Sequence, residues 1–204
     1  MNESLRASAA APKKPTKAEL AAAVHLTVPD LVAPRLRVLF CGINPGLYTA
    51  AIGYHFGRPG NRFWPALHGA GFTPRQLSPW EQGALLELGI GVTNMVERTT
   101  ATAAELSPAE FVAGGARLAR VVAEYQPRVV AFLGIGAYRS AFARPKAPLG
   151  LQADRLGETA LWVLPSPSGL NANHQLADLV VLLRDLREWV DGNGALVRAA
   201  APTQ

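Results

Sequence analysis

The 204-residue chain contains a single cysteine, Cys41, which excludes an internal disulfide and a cysteine cage for zinc or an iron–sulfur cluster. No apolar run reaches the roughly 20 residues that a membrane-spanning helix needs. The first thirty residues also lack the charged start, apolar stretch and small-residue cleavage site of a secretory signal. We therefore expect a cytoplasmic protein with no membrane partner and no metal or other cofactor.

Acidic residues are outnumbered, with 15 Asp and Glu against 20 Lys and Arg, which gives a net charge of +5 and a pI near 9.8. This balance is compatible with a polyanionic partner such as nucleic acid, without proving one. Lysine is rare, and most of the cations are arginine, the side chain that binds phosphate through a planar fork. GC-rich codon usage explains most of that bias, since Ala, Gly and Pro are abundant too. The hydrophobic fraction of 49% indicates a globular domain rather than a disordered chain.

Three regions are predicted along the chain. Residues 1–30 read as a basic flexible arm with at most a short helix, because Thr16 and Glu19 form a capping-box pattern. This arm either scans DNA non-specifically or is only a soluble tail, which we favour. Residues 31–191 form one domain, and residues 192–204 read as a frayed tail.

The secondary-structure pattern predicts an α/β fold. Four short apolar runs without polar alternation are typical of strands buried on both faces. Helix starts are marked at Ser78 and Ser107 by a capping serine, a first-turn proline and a glutamate three residues on. Further helices are expected around Phe63 and from near Asn173. Strands alternating with helices predict a three-layer sandwich with a short, mainly parallel central sheet flanked by helices. The four runs are 38–41, 90–93, 129–133 and 161–164.

Ligands of an open parallel sheet bind beyond the carboxyl ends of its strands, and three of the loops found there carry unusual residues. In the first, Asn44 offers a carboxamide that can match a base edge or hold a water. Phe56 offers a flat stacking face, and Leu170 is an apolar tip that can push into a base stack. Each residue also has an ordinary structural explanation. Asn44 can simply form a turn, Phe56 can belong to the core, and Leu170 can make a contact at the start of a helix. His55 is equally plausible as a loop histidine and as a pocket donor.

Four motifs occur in a fixed order, and together they resemble the mismatch-specific uracil/thymine-DNA glycosylases, the Mug/TDG branch of the uracil-DNA glycosylase superfamily. The resemblance extends from about Val28 to Trp189. The motifs are Gly42-Ile43-Asn44-Pro45-Gly46-Leu47, Gly60-Asn61-Arg62-Phe63-Trp64, Thr93-Asn94-Met95-Val96-Glu97-Arg98-Thr99-Thr100 and Pro165-Ser166-Pro167-Ser168-Gly169.

The same residues separate the chain from sister families. The iron–sulfur uracil glycosylases need four cysteines. The main uracil-specific family carries an aspartate where Asn44 stands. That family and the single-strand-selective branch both have a His-Pro-Ser type motif where this chain has Ser166-Pro167-Ser168.

The resemblance implies a uracil-DNA glycosylase-like fold and a monofunctional, monomeric hydrolase. It would flip uracil opposite guanine out of double-stranded DNA and cut its N-glycosidic bond, initiating base excision repair. Ethenocytosine and mispaired thymine are further substrates within the family, and activity on thymine stays open here. The vertebrate branch has arginine where Leu170 stands, and the bacterial branch follows with Ser-Arg where this chain has Asn171-Ala172.

The resemblance also implies site residues. Asn44 is the catalytic residue that positions the attacking water, and Phe56 stacks on the flipped base. His55 or Glu97 is a candidate for catalytic assistance. The remaining assignments are base binding by Ile43, His55, Phe56, Asn94 and Ser166, a DNA wedge of Ser168, Gly169, Leu170 and Asn171, and phosphate contacts from Arg58, Asn61 and Arg62.

Two other functions compete with this hypothesis. A Rossmann-type nucleotide site at Gly134-Ile135-Gly136 lacks its third glycine, since Arg139 stands there. A non-catalytic protein that binds mismatches or abasic sites would keep the wedge and lose the chemistry. The retained Asn44 argues against such a binder.

Overall fold

The computed structural model describes residues 10–199, and within them five strands form one sheet in the order β2-β1-β3-β5-β4. All neighbouring pairs are parallel except β4 and β5. The α/β class and the mainly parallel sheet are therefore confirmed. The strands are β1 (Val38–Gly42), β2 (Ile90–Asn94), β3 (Val129–Leu133), β4 (Gly150–Leu156) and β5 (Thr159–Leu164).

The helices begin at strong local signals. At Ser107 the capping box forms as predicted, and the helix ends where Gln126 adopts a left-handed conformation ahead of Pro127. The signal at Ser78 starts only a 3-10 turn at Pro79–Glu81. The helices are α1 (Lys17–Ala22), α2 (Leu47–Ile52), α3 (Phe63–Gly69), α4 (Ala84–Glu87), α5 (Pro108–Tyr125), α6 (Ile135–Ala141) and α7 (Leu176–Ala199).

Side chains alternate across the sheet into two separate cores, so the fold has three layers. Phe40 and Trp162 point to the face covered by α3 and α7, where Leu183 lies. Their neighbours Leu39 and Leu161 point to the opposite face, which α5 and α6 cover. The predicted three-layer sandwich is confirmed.

Strand β4 was not predicted, because its sequence contains no continuous apolar run. Leu151 is 47% exposed, whereas the polar Gln152 and Asp154 are half-buried. The strand pairs antiparallel at the edge of the sheet, with an irregular register between Leu151 and Arg155. A search for continuous apolar runs passes over such a strand.

The structure describes part of each of the two predicted ends. Within the predicted arm, α1 forms on the Thr16 capping box and Val28 is buried. Just after the arm, Leu31 exchanges two backbone hydrogen bonds with Val92 of β2. At the other end, α7 runs to Ala199, past the predicted boundary at residue 192. Residues 1–9 and 200–204 of the predicted arm and tail lie outside the described residues.

Candidate active site

The carboxamide of Asn44 lies just beyond β1 and is oriented by three acceptors. Its Nδ2 donates to the Thr100 hydroxyl at 2.7 Å, to the Arg98 carbonyl at 3.0 Å and to the Pro45 carbonyl at 3.2 Å. The Thr100 hydroxyl gives its single hydrogen to the carbonyl of Thr102 at 2.8 Å. All three partners therefore accept, so Nδ2 must face them. Oδ1 is left as the amide atom that can accept from a water or a ligand.

His55 and Asn94 form a second polar pair. His55 is only 1% exposed, and its Nε2 lies 2.9 Å from the Pro29 carbonyl. Because a carbonyl only accepts, Nε2 carries the proton, and Nδ1 accepts from Asn94 Nδ2 at 3.5 Å. Burial lowers the pKa of His55 despite opposing effects of the Pro29 carbonyl and the Asp30 carboxylate. The ring is therefore neutral at neutral pH.

Asn94 closes the site against β1. It pairs with Gly42 in the β1–β2 register, and a Cβ on Gly42 would lie 2.5 Å from Asn94 Oδ1. Only glycine leaves room for that oxygen at this position. We use the name pocket floor for Asn44, His55 and Asn94.

Phe56 is held in a left-handed conformation with φ of 53°. This conformation costs a non-glycine residue roughly 1–2 kcal/mol. Two hydrogen bonds to the backbone of the preceding residue, His55, hold it in place. The His55 backbone donates to Gln82 Oε1 at 2.8 Å and accepts from Trp64 Nε1 at 3.3 Å. The Phe56 ring stacks on Phe63 with centroids 4.2 Å apart. Strain held in this way is common at functional sites.

The three loops beyond the sheet enclose one cavity of about 340 Å³. It brings together residues of all four sequence motifs, as a single site requires. Thr49, Leu133 and the segment from Thr100 to Ala103 also line it; the sequence assigned them no role, because none of them carries a distinctive functional group. The predicted residues that line the cavity are Ile43, Asn44, His55, Phe56, Arg58, Asn61, Asn94, Ser166, Ser168, Leu170 and Asn171.

The segment Ser168–Asn171, which we call the wedge loop, projects from the rim of the cavity. Leu170 is 71% exposed, more than any other large hydrophobic side chain among the described residues with burial assigned. The loop is a tight turn in which the Asn171 backbone donates to the Ser168 carbonyl at 2.9 Å. Gly169 packs so closely that an added Cβ would lie 2.7 Å from the Gly60 carbonyl oxygen. The predicted wedge residues therefore form one exposed tip.

The three candidate phosphate ligands have different surroundings. Arg58 is exposed on the cavity rim. Asn61 uses its Oδ1 to accept from the Phe63 backbone at 2.9 Å, at the start of α3. Arg62 donates through its guanidinium to backbone carbonyls of the wedge loop and of His174. Of the three, only Arg58 presents an exposed side chain.

Glu97 does not reach the cavity. Its side chain is 59% exposed and pairs with Arg117, whose Nε lies 3.0 Å from a Glu97 oxygen. The same guanidinium also binds Asp30 of the N-terminal segment. Glu97 is therefore part of a peripheral ion-pair network, which leaves it away from Asn44.

Within the described part of the chain, no three His, Cys, Asp or Glu side chains come together in a way that could hold a metal ion. None of the helices in residues 10–199 combines the length and the apolar character needed to cross a bilayer.

The family model of the Uracil DNA glycosylase superfamily matches residues 29–187, which is most of the chain. The chain belongs to this superfamily. Its fold is similar to the solution NMR structure of a candidate uracil DNA glycosylase from Methanosarcina acetivorans, with a TM-score of 0.51 at 19% identity. That match covers 79% of this chain and 98% of the other, and at such low identity it shows a shared fold only.

Superfamily membership makes the chain a DNA glycosylase, a hydrolase whose partner is DNA. The predictions of the uracil-DNA glycosylase-like fold, the enzyme class and the DNA partner are confirmed at this level. The Mug/TDG branch, the mismatch substrate and the roles of individual residues remain predictions.

Proposed function

We propose that this superfamily member is a monofunctional glycosylase of the Mug/TDG branch, which excises uracil opposite guanine from double-stranded DNA and acts as a monomer. The observation that carries the proposal is the single cavity into which all four motifs project. It combines an oriented carboxamide, a stacking ring and an exposed apolar tip. These are the groups needed to hold a water, bind a flipped base and fill the gap left in the duplex.

In the proposed reaction, the bond between C1′ of the sugar and N1 of uracil breaks, and its electron pair leaves with the base. Positive charge develops on the sugar, a water oxygen bonds to C1′ and releases its proton to solvent, and the departing uracil anion takes up a proton from solvent. Oδ1 of Asn44 is the acceptor that would hold this water, because Nδ2 is already engaged. An amide cannot take the proton, so general-base help worth about 10²–10⁴-fold is missing. The enzyme depends instead on positioning and on the ease of flipping a mispaired base.

His55 fits a role in binding the base better than one in proton transfer. Its Nε2 proton is engaged by Pro29 and its Nδ1 faces Asn94. A neutral, doubly engaged ring fixes the Asn94 carboxamide, which would read the polar edge of the pyrimidine with Ser166 and the backbone near Ile43 and Phe56. Glu97 is paired with Arg117 and does not line the cavity, so we assign it no catalytic role.

Arg58 is the candidate phosphate ligand that stays available on the cavity rim. Its exposed guanidinium can bind a DNA phosphate in a bidentate way. Leu170 would enter the base stack from the same side, and Asn171 would lie next to the unpaired guanine. No cation follows Asn171 here, so we expect modest discrimination by the wedge itself.

The test is excision from a labelled duplex carrying one U·G pair, followed by alkali. We expect strand scission only after alkali, because a monofunctional glycosylase leaves an intact backbone at the abasic site. Tight binding without scission would instead support a non-catalytic mismatch binder. Parallel substrates with T·G, ethenocytosine·G, U·A and single-stranded uracil would define the preference, which we expect to favour U·G.

A further inference from the structure

We infer that Arg62 is a positioning residue that holds the wedge loop in its projecting shape, rather than a ligand of DNA phosphate. The inference rests on the proposed function, since it gives the wedge loop its role. Arg62 lies at the start of α3, on the loop next to the wedge. The sequence alone suggested a phosphate contact, and the partners of the guanidinium now indicate a different role.

Both ends of the guanidinium are occupied by the wedge loop and the segment after it. Nη2 donates to the carbonyls of Ser168 and Asn171, the latter at 2.7 Å. Nη1 donates to the His174 carbonyl at 2.6 Å and reaches Gln175 Oε1 at 3.4 Å. These contacts span the whole wedge loop and continue to the start of α7.

The loop also carries short-range hydrogen bonds of its own: Asn171 donates through Nδ2 to the Ser166 carbonyl and through its backbone to the Ser168 carbonyl, both at 2.9 Å. These bonds set its local shape without attaching it to the rest of the molecule. Leu170 points into solvent and belongs to neither core, so apolar packing does not hold the tip. A backbone hydrogen bond from Arg62 to the Pro167 carbonyl at 2.9 Å and the close approach of Gly169 to Gly60 attach the same two loops at their bases. The guanidinium therefore ties this internally bonded tip to the loop before α3.

The chemistry of the tether suits arginine. A planar fork can donate in several directions at once, whereas a lysine ammonium donates from one point. None of the ion pairs among the described residues involves Arg62, and its Nε is buried without a partner. The guanidinium is consequently held mainly by carbonyl dipoles, and both of its Nη atoms already have protein acceptors.

The two roles predict different effects of removing the side chain. A lost phosphate contact weakens binding to all DNA sequences and lowers the salt slope of binding by about one. A lost tether frees the wedge loop and slows excision from a duplex, with the salt slope unchanged. Arg58 offers the matched comparison, because it is a cation on the same loop with an exposed side chain.

The experiment compares the full-length chain with Arg62→Ala, Arg62→Lys and Arg58→Ala. Amide hydrogen exchange of residues 168–175 is measured without DNA, the salt slope with a U·G duplex, and single-turnover excision at saturating enzyme. We expect Arg62→Ala to raise exchange in this segment and to slow excision at least tenfold, with an unchanged salt slope. Arg62→Lys should lie between it and the wild type. Arg58→Ala should leave exchange unchanged and lower the slope by about one.

Two results would overturn the inference. One is an unchanged exchange pattern in Arg62→Ala together with a slope lowered by about one, which would make Arg62 a phosphate ligand. The other is faster exchange without any loss in the single-turnover rate, which would show that the loop shape does not matter for excision. Failure of the proposed function is distinguishable from both, because the wild-type chain would then release no uracil. The exchange measurement reports on the tether in either case.

Discussion

The pocket floor and the wedge loop face the same cavity but are stabilised in opposite ways. The floor residues His55 and Asn94 are almost fully buried, and each is fixed by neighbours from separate parts of the chain. The wedge loop ends in Leu170, which is 71% exposed, and it is held by contacts to the loop that precedes α3. In the proposed mechanism, the chemistry would depend on the rigid interior and base flipping on the exposed tip, which the Arg62 guanidinium ties to the loop before α3.

The largest effect should come from the floor. Replacing Asn44 with alanine removes the acceptor for water, while the surrounding Thr100, Arg98 and Pro45 remain. Misplacing a reacting group costs about 10²-fold or more, so we expect single-turnover excision of uracil to fall by at least that factor. Binding to a U·G duplex, measured by fluorescence anisotropy, should change little. A variant that loses binding and excision together would place Asn44 in recognition instead of water positioning.

The next effect should come from the tip. Leu170→Ala removes three carbons that would be buried between bases, worth on the order of 2 kcal/mol or roughly 30-fold. We expect that loss in the excision rate from a U·G duplex. Because Leu170 is exposed in the free protein, the thermal midpoint should stay unchanged. A large drop in thermal stability would show that the side chain packs in the folded protein.

A smaller effect should come from the hydroxyl of Thr100, which orients the Asn44 carboxamide without taking part in the chemistry. Thr100→Val keeps the shape of the side chain but removes the hydroxyl that accepts from Asn44. A hydrogen bond of this kind contributes about 1 kcal/mol net, so we expect kcat to fall about fivefold to tenfold. The matched variant Thr100→Ser, which retains the hydroxyl, should recover most of the activity. Equal losses in both variants would argue that packing, rather than the hydroxyl, matters.

The smallest effect concerns protonation of His55. Since burial lowers its pKa in the folded state, the unfolded chain binds a proton more readily than the folded chain does. The contribution of the neutral His55 ring to the free energy of unfolding is thus complete above the ordinary histidine pKa of about 6.5. It is lost as the pH falls below that value. Urea unfolding at pH 7.5 and 5.5 should show a larger loss of stability for the wild type than for His55→Gln. An equal loss of stability in the wild type and in His55→Gln would mean that groups other than His55 cause the destabilisation at low pH.

The same contrast explains how much could be predicted from the sequence. Two of the three floor residues lie at the carboxyl ends of buried strands, since Asn94 ends β2 and Asn44 follows β1, so topology alone brings them to one edge of the sheet. The motifs that predicted the superfamily contain both of these asparagines. The wedge residues were also found, because Leu170 follows a stiff Pro-Ser-Pro-Ser segment.

What escaped prediction depends on contacts between distant segments. Strand β4 was missed because it has no continuous apolar run, and its apolar residues Leu151 and Ala153 are exposed. The partners of Arg62 are backbone carbonyls more than a hundred residues away, and a backbone carbonyl leaves no trace in the identity of a residue. Glu97 was a plausible helper until Arg117 was seen to hold it at the periphery. Thr100 carries a common side chain, and its importance comes only from where its hydroxyl points.

The most direct test of the account is a structure of the chain with a duplex that contains 2′-fluoroarabinouridine opposite guanine. The fluorine withdraws electrons from the sugar and keeps the N-glycosidic bond intact, so the bound state before cleavage can be observed. We expect the uracil outside the helix, stacked on Phe56 with its polar edge toward Asn94, and Leu170 within the base stack. A uracil still paired inside the duplex, with Leu170 remaining in solvent, would contradict the account.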